Sequence, residues 1–146
     1  MHLNTNVDLR DHSSCTLFYN DAEGWLQAIW WGHVDPQEAH RGAQSYLEHA
    51  GRIPSQFLLN DNSQLHGPWF ESLEWLAEVW VPRAARLGLR YVAHVVQADQ
   101  PHDILATCPA SGLPFELRIF RDPAAARHWL WAMGQAHGRL APDPLG

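Results

Sequence analysis

A polar cluster in the middle of the chain is the first place where side chains could do chemistry. It comes directly after a short apolar strand predicted over residues 55–59. Its members are Asn60, Asp61, Asn62, Ser63 and His66. Because such residues hydrogen-bond their own backbone in turns, our first interpretation is a connection from a strand to a helix. Because open α/β sheets bind ligands beyond the carboxyl ends of their strands, the second is a contact to a ligand or partner.

The ten histidines raise the question of a metal site. Zinc sites often use the spacings His-x-x-x-His or His-Glu-x-x-His, and the sequence contains neither. His33 and Asp35 could meet across one residue, and His66 could join them from another loop. We nevertheless predict no metal and no cofactor. His94 lies inside an apolar run, which is typical of a neutral core histidine bonded to a backbone carbonyl.

No motif for nucleophilic catalysis is present. Cys15 and Cys108 are widely spaced and form no Cys-x-x-Cys pair, so both are expected to be reduced, packed side chains. The sequence has no Gly-x-Ser-x-Gly elbow and no glycine-rich phosphate loop. We therefore predict no catalytic residue, and an enzyme that uses the loop around Asp61 is the third hypothesis for function.

The eight tryptophans are more informative. Trp75 and Trp131 fall outside the apolar stripes of their predicted helices, and aromatic residues in such places are enriched at protein interfaces. They indicate a surface for a protein partner or a second copy of the chain; packing on a neighbouring helix is the alternative. Large aromatic side chains can also wall a cavity for a small apolar ligand between sheet and helices. The candidates for that wall are Trp30, Trp31, Trp69 and Trp80.

The charge pattern argues against nucleic acid as a partner. The formal charge is −6, and all ten basic residues are arginines without a run among them. Phosphate backbones and anionic membranes attract clustered lysine and arginine, which this chain lacks. No segment approaches the ~18 consecutive apolar residues of a membrane span, and the start of the chain lacks a signal-peptide pattern. We therefore expect a cytoplasmic protein without a membrane span.

Local signals define the helices that must position these residues. Asp35-Pro36 and Asp122-Pro123 each place an N-cap residue before a proline at the first helical position, so two helices begin there. A third helix is predicted over residues 68–87, where Pro82 should bend it by removing one backbone hydrogen bond. Glycines in the left-handed conformation are predicted to end the helices. They are Gly51, Gly88 and Gly134.

Apolar runs separated by turn residues predict five strands. They cover residues 15–20, 25–34, 55–59, 89–97 and 114–120. The first two should form an antiparallel hairpin, and helices separate later strands as parallel crossovers require. The expected fold is α/β, a mixed five-stranded β-sheet packed with α-helices in the order β-β-α-β-α-β-(α)-β-α.

The chain is expected to form one domain, because no linker or internal repeat divides it. We place the domain at residues 14–137, after a flexible N-terminus at residues 1–13 and before a disordered tail at residues 138–146. A short helix is placed at residues 103–107, inside a segment broken by prolines.

Four segments, in their order and spacing, give the chain a family likeness. They are WWGHVDPQEA, FLLND, FESLEWLAEVWVPRAARLGLR and IFRDPAAARHWL. Over about residues 15–133 the chain resembles the SpoIIAA-like group of bacterial STAS-related domains. The resemblance implies a bacterial protein with a mixed sheet packed with helices, and a role in protein-protein signalling or small-ligand sensing. The group also shares its architecture with lipid-carrying CRAL-TRIO domains, so a lipid-like ligand is among the alternatives.

In anti-anti-sigma factors of this fold, a serine in an Asp-Ser-Ser-Gly turn is phosphorylated and switches partner binding. The corresponding segment here is SQLHGPWF, which keeps Gly67 but has no Asp-Ser-Ser before it. Ser63 lies closer to the preceding strand, so the resemblance does not carry a switch serine onto this chain. We predict a non-enzymatic STAS-like module that binds a protein partner or a second copy of itself, with a small apolar ligand as the alternative.

Overall fold

The structure of the protein is a computed structural model that describes residues 1–7, 12–97 and 112–137. Its strands are β1 His2–Val7, β2 Ser14–Asn20, β3 Trp25–His33, β4 Phe57–His66, β5 Tyr91–Val95 and β6 Glu116–Phe120. Its helices are α1 Pro36–Ala50, α2 Val81–Arg86 and α3 Pro123–His137, and a π-helical turn over Leu76–Trp80 leads into α2. Within the described residues, no helix is long and apolar enough to cross a membrane. The helix predicted at residues 103–107, Cys108 and the tail predicted at residues 138–146 lie outside them.

The strands form one mixed sheet in which their spatial order is their order in the sequence. β1, β2 and β3 pair antiparallel, whereas β3, β4, β5 and β6 pair parallel. This arrangement confirms the predicted α/β fold with an antiparallel hairpin beside parallel crossovers. The sheet has six described strands where five were predicted.

The additional strand is β1, so the prediction of a flexible N-terminus over residues 1–13 is wrong for residues 2–7. β1 pairs with β2, and the terminal amino group donates to the carbonyl of Tyr19 at 2.6 Å. Asn4 Nδ2 also donates to Ser45 Oγ of α1 at 2.8 Å. The segment HLNTNV has too few apolar residues to predict a strand. β1 is a strand because it pairs with β2, although its own sequence pattern does not indicate a strand.

Helix α1 begins as its sequence predicts. Asp35 Oδ1 accepts a hydrogen bond from the Glu38 N–H at 2.9 Å, and Glu38 Oε1 accepts one from the Asp35 N–H at 3.5 Å. Together with Pro36 in the first turn, this is a complete capping box. Gly51 follows the last turn with a φ of −67°, so the prediction of a left-handed glycine there is wrong. The Gly51 N–H instead donates to the carbonyl of Leu47 within the right-handed turn.

The segment after β4 departs from the helix predicted over residues 68–87. Gly67 has a φ of +89° and Trp69 a φ of +56°, values that a right-handed helix excludes. Helical turns therefore begin only at Glu74. The apolar spacing that includes Trp69 reflects its burial in the core, although this residue precedes the helix.

The interruption predicted at Pro82 takes the form of a π turn. The Val81 N–H donates to the carbonyl of Leu76, five residues back, immediately before the proline. Since proline has no N–H, the wider turn falls where the α-helical hydrogen bonds would be interrupted in any case. The apolar stripe keeps its contact with the core, because Leu76 and Ala84 are buried. Gly88 has a φ of +108°, which confirms the predicted end of this helix.

Helix α3 begins at the predicted cap and ends later than predicted. Asp122 Oδ1 accepts a hydrogen bond from the Ala124 N–H at 3.2 Å. The buried inner stripe of α3 includes Ala126, Trp129 and Leu130. The helix continues past Gly134 to His137, so the prediction that Gly134 ends it is wrong. Gly134 is itself buried, and the packing around it outweighs its weak helix propensity.

The helices lie on both faces of the sheet. α1 and α2 cover one face, over a core that includes Leu26, Leu58 and Val92. α3 covers the other face at β4, β5 and β6, over Phe57 and Leu59. The described residues therefore form three layers, with the sheet between two layers of helix.

Candidate functional site

The polar cluster continues strand β4 and does not form a turn toward a helix. β4 runs from Phe57 to His66, so the prediction of a strand-to-helix turn within the cluster is wrong. Asn60 lies in register with Ala28 of β3 and with His94 of β5. These two parallel neighbours provide a hydrogen-bonded environment for the backbone, and tertiary pairing overrides the turn preference of the residues.

The cluster divides between the two faces of the sheet, because successive side chains of a strand alternate. Asn60 and Asn62 are buried. Asp61 and Ser63 are half-buried, and Asp61 Oδ1 accepts a hydrogen bond from the Ser63 N–H at 2.9 Å near an irregularity in the register with β3. His66 is exposed at the end of the strand. Asn60 and Asn62 are thus buried, whereas Asp61 makes only a local hydrogen bond to the backbone of Ser63.

The buried amides connect β3, β4 and β5 through their side chains. Asn60 Oδ1 accepts a hydrogen bond from Trp30 Nε1 at 2.8 Å, since an indole nitrogen can only donate. Asn60 Nδ2 therefore faces Asn62 Oδ1 and His94 Nδ1, each at 3.0 Å. Because the amide nitrogen donates, His94 Nδ1 accepts and the ring proton lies on Nε2. The core position predicted for His94 is confirmed, since the residue is fully buried.

A cavity of about 100 Å³ lies between the sheet and the layer of α1 and α2. Three of the four tryptophans predicted for such a wall line it. They are Trp30, Trp69 and Trp80. Trp31 does not line the cavity and is 52% exposed, so its assignment to the wall is wrong. It follows Trp30 along β3, and the alternation of the strand turns it to the other face. Of the described residues that line the cavity, none is charged.

Trp69 is held in the cavity wall by its backbone and by three rings. Its φ is +56°, and its N–H donates to the carbonyl of Val34 at 3.0 Å. The rings of Trp30 and Phe70 make T-shaped contacts at 5.6 and 4.9 Å, and the His94 ring stacks on the indole at 5.7 Å. A non-glycine residue rarely adopts this φ, so the surrounding structure must hold it.

The two tryptophans predicted for an interface have different surroundings. Trp75 is half-buried, and its ring lies 4.4 Å from that of His40 in α1 and 5.9 Å from that of Phe70. Trp75 therefore packs against the neighbouring helix α1, which was the alternative interpretation for this residue. Trp131 of α3 is 44% exposed, and its ring lies 6.1 Å from that of His128. Of this pair, Trp131 therefore presents the larger apolar surface to solvent.

The side chains weighed for a metal site have other positions. His33 of β3 and His66 of β4 are neighbours in register, while Asp35 caps helix α1. Within residues 1–7, 12–97 and 112–137, no three histidine, cysteine, aspartate or glutamate side chains are grouped as metal ligands.

Cys15 of β2 is buried in the core beneath α1, and burial raises the pKa of its thiol to about 12. A thiol with such a pKa stays protonated at neutral pH and is a poor nucleophile. Burial also raises the pKa of the Tyr46 hydroxyl, and Tyr46 lines the cavity. Both groups are therefore neutral in this core.

No protein-family model matches the chain, and no curated protein matches it. A solved structure does match it: an uncharacterised protein of the DUF3478 family from Shewanella loihica PV-4, described as having a SpoIIAA-like fold. The two sequences are 19% identical, the match covers 86% of this chain and 98% of the other, and the TM-score is 0.50. At this identity the likeness concerns the fold and not the function. The chain has a SpoIIAA-like fold, as the order of its sequence segments predicts.

Proposed function

We propose that the protein is a binding module that holds a small, neutral, apolar molecule between the sheet and helices α1 and α2. The cavity of about 100 Å³ is the observation that supports this proposal. Aromatic and aliphatic side chains wall it, and none of its described lining residues is charged. Mostly apolar concave sites with few polar groups are typical of small-molecule binding.

The volume restricts the ligand to roughly one ring. An engineered protein cavity of about 150 Å³, lined by aliphatic and aromatic residues, stays dry and binds benzene. The cavity here is somewhat smaller. A long acyl chain needs several times this volume, so we narrow the lipid-like alternative to a single-ring or short-chain molecule.

A cavity in the core also lowers the stability of the folded state, and a ligand that fills it can restore part of that stability. Cavities in protein cores cost about 24 cal/mol per Å³. A ligand that restores contacts with the walls would regain part of this free energy and stabilise the folded state.

A benzene titration followed by NMR of the ¹⁵N-labelled protein tests the proposal. We expect saturable shifts in residues of the cavity wall. Ala43 lies in α1 and lines the cavity, so Ala43→Leu should fill the space and abolish saturable binding. Ala125→Leu makes the same change at an exposed position of α3 and should leave binding intact. A wild-type protein without saturable shifts, or equal binding by the Ala43→Leu variant, would overturn the proposed function.

The exposed Trp131 supports a second candidate function, a contact to a protein partner or to a second copy of the chain. Its indole is 44% exposed on α3, on the side of the sheet opposite the cavity. Exposed aromatic residues are enriched at protein interfaces. The two candidates use different faces of the molecule, so each can be tested without disturbing the other.

A further inference from the structure

We infer that the outer edge of strand β6 pairs with the same edge of a second copy of the chain, so that two sheets join into one. The two β6 strands run antiparallel around a twofold axis, with Leu117 opposite Leu117 of the second copy. The inference does not rest on the proposed ligand cavity, and the contact uses an edge of the sheet and not the surface around Trp131.

The two edge strands of the sheet differ in how well they are suited to pairing. β1 is irregular, because its register with β2 shifts between His2 and Asn4. Such irregularities are one way in which proteins protect a sheet edge. β6 pairs with β5 from Glu116 to Phe120 without a shift, and no other strand of the described residues pairs with its outer side. β6 is therefore the edge that can accept a further strand.

The hydrogen bonds to β5 show which backbone groups of β6 point outward. The Glu116 N–H donates to the carbonyl of Arg90, immediately before β5, and the Phe120 carbonyl accepts from the N–H of the residue that follows β5. Successive residues of a strand direct their backbone groups to opposite sides, so Leu117 and Ile119 direct theirs away from β5. In an antiparallel pair, these outward N–H and C=O groups bond to those of the second copy.

The charges of β6 select one register for this pair. Glu116 and Arg118 are both exposed, and they lie on the same face of the strand because they are two residues apart. With Leu117 on the twofold axis, each Glu116 lies opposite Arg118 of the second copy, and two ion pairs form. A shift of the axis by one residue places either Glu116 or Arg118 opposite its own counterpart, which costs free energy. The charge pattern is therefore complementary to itself in one antiparallel register.

The other face of the strand is apolar in the same register. Leu117 meets its own counterpart, and Ile119, which is 37% exposed, lies opposite Phe115 of the second copy. Pairing therefore covers an exposed apolar side chain. On the charged face, the guanidinium of Arg118 lies 5.3 Å from the ring centroid of Trp129. This contact holds the cation on the face where Glu116 of the second copy arrives.

Charge reversal at the two positions tests the register. Sedimentation velocity measures the dissociation constant of the dimer for wild type, Glu116→Arg, Arg118→Glu and the double variant. Either single reversal places like charges opposite each other at two points, so we expect the dissociation constant to rise about tenfold. The double reversal restores opposite charges and should return the constant to within about threefold of wild type. Glu48→Arg in α1 and Arg83→Glu in α2 reverse exposed charges outside the edge and should leave the constant unchanged.

The wild-type protein provides a second measurement that needs no variant. Amide hydrogen exchange of Leu117 and Ile119 should slow as the protein concentration rises, whereas exchange in β1 should not depend on concentration. A monomer at millimolar concentration, a dimer unaffected by both single reversals, or a double variant as weak as the single ones would overturn this inference. Each of these outcomes leaves the proposed ligand cavity untouched, and a failure of benzene to bind there leaves the β6 contact untouched.

Discussion

On the α3 side of the sheet, Trp129 packs against Tyr91 and Phe120, and the guanidinium of Arg118 lies 5.3 Å from its ring centroid. On the α1 side, three tryptophans surround a cavity of about 100 Å³. Both sides are rich in aromatic residues, so the size of the side chains does not explain the cavity.

The elements that cover the two sides differ in regularity. α3 is one continuous helix of 15 residues that follows directly on its edge strand. The α1 side is closed partly by a segment with two positive-φ residues, Gly67 and Trp69, and by a π turn before Pro82. Such irregular backbone fixes side chains at distances and angles that a regular helix does not reach. The comparison suggests that a cavity is formed by the irregularity of its cover more than by the composition of its wall.

The largest expected effect on stability comes from breaking a buried hydrogen bond between an indole N–H and a side-chain amide. There is one such bond on each side of the sheet. Asn60→Leu leaves the Trp30 donor without its acceptor and removes the partner of Asn62 and His94, so we expect a loss of about 3 kcal/mol. Gln27→Leu removes one hydrogen bond, from Trp25 Nε1 to Gln27 Oε1 at 3.1 Å, and should cost about 1 kcal/mol. Urea unfolding measures both values. Equal losses would show that the hydrogen bonds of Asn60 contribute no more to stability than the single hydrogen bond of Gln27.

The next prediction is that the same substitution, alanine to leucine, changes stability in opposite directions on the two sides of the sheet. Ala126 of α3 is fully buried in the close contact with the sheet, so Ala126→Leu should destabilise the protein by about 2 kcal/mol through overpacking. Ala43 of α1 lines the cavity, so Ala43→Leu should stabilise it by about 1 kcal/mol through filled space. Thermal and urea unfolding report the two changes. Destabilisation by both substitutions would mean that the α1 side is as closely packed as the α3 side.

A smaller effect follows from Cys15 on the α1 side. Its folded-state pKa is raised to about 12 by burial, whereas an unfolded cysteine titrates near its ordinary value of about 8.5. The thiol therefore contributes stability that is fully present below about pH 8.5 and is lost as the pH rises toward 12. Between pH 8 and pH 9 we expect a loss of about 0.7 kcal/mol, measured by urea unfolding. Cys15→Ala should lose less stability over this interval, and an identical pH dependence would contradict the prediction.

The smallest effect on stability is expected at Trp131. Because its indole is 44% exposed, Trp131→Ala should change the free energy of unfolding by less than about 0.5 kcal/mol. If this surface binds a second copy, light scattering should show weaker association for Trp131→Ala than for wild type. Trp31→Ala, at the exposed end of β3, is the matched control. A wild-type protein that stays monomeric at high concentration would exclude a second copy as the partner.

Elements that depend on a few neighbouring residues could be predicted from the sequence. The capping box of Asp35 and Glu38, the cap at Asp122 and the left-handed Gly88 all involve contacts within one turn of chain. The apolar strand β5 was equally predictable, since burial on both faces leaves a continuous apolar run. These local signals were enough to indicate the SpoIIAA-like fold.

Elements whose polar residues gain their partners from distant parts of the chain could not be predicted. β1 is a strand because β2 lies beside it, and the polar half of β4 is a strand because β3 pairs with it as far as His66. The candidate site could likewise be predicted only in part from the sequence. The sequence indicated Trp30, Trp69 and Trp80 as wall residues, but it assigned Trp31 with them and gave no sign of the Asn60 network.

The sequence by itself determined the type of fold and the supply of aromatic residues, because capping, alternation and helical spacing act over short stretches of chain. Only the tertiary structure decided where the space between those residues remains and that the indole of Trp30 donates to the amide of Asn60. The physical reason is that cavities and buried hydrogen bonds depend on the relative placement of elements far apart in sequence, which no local pattern encodes.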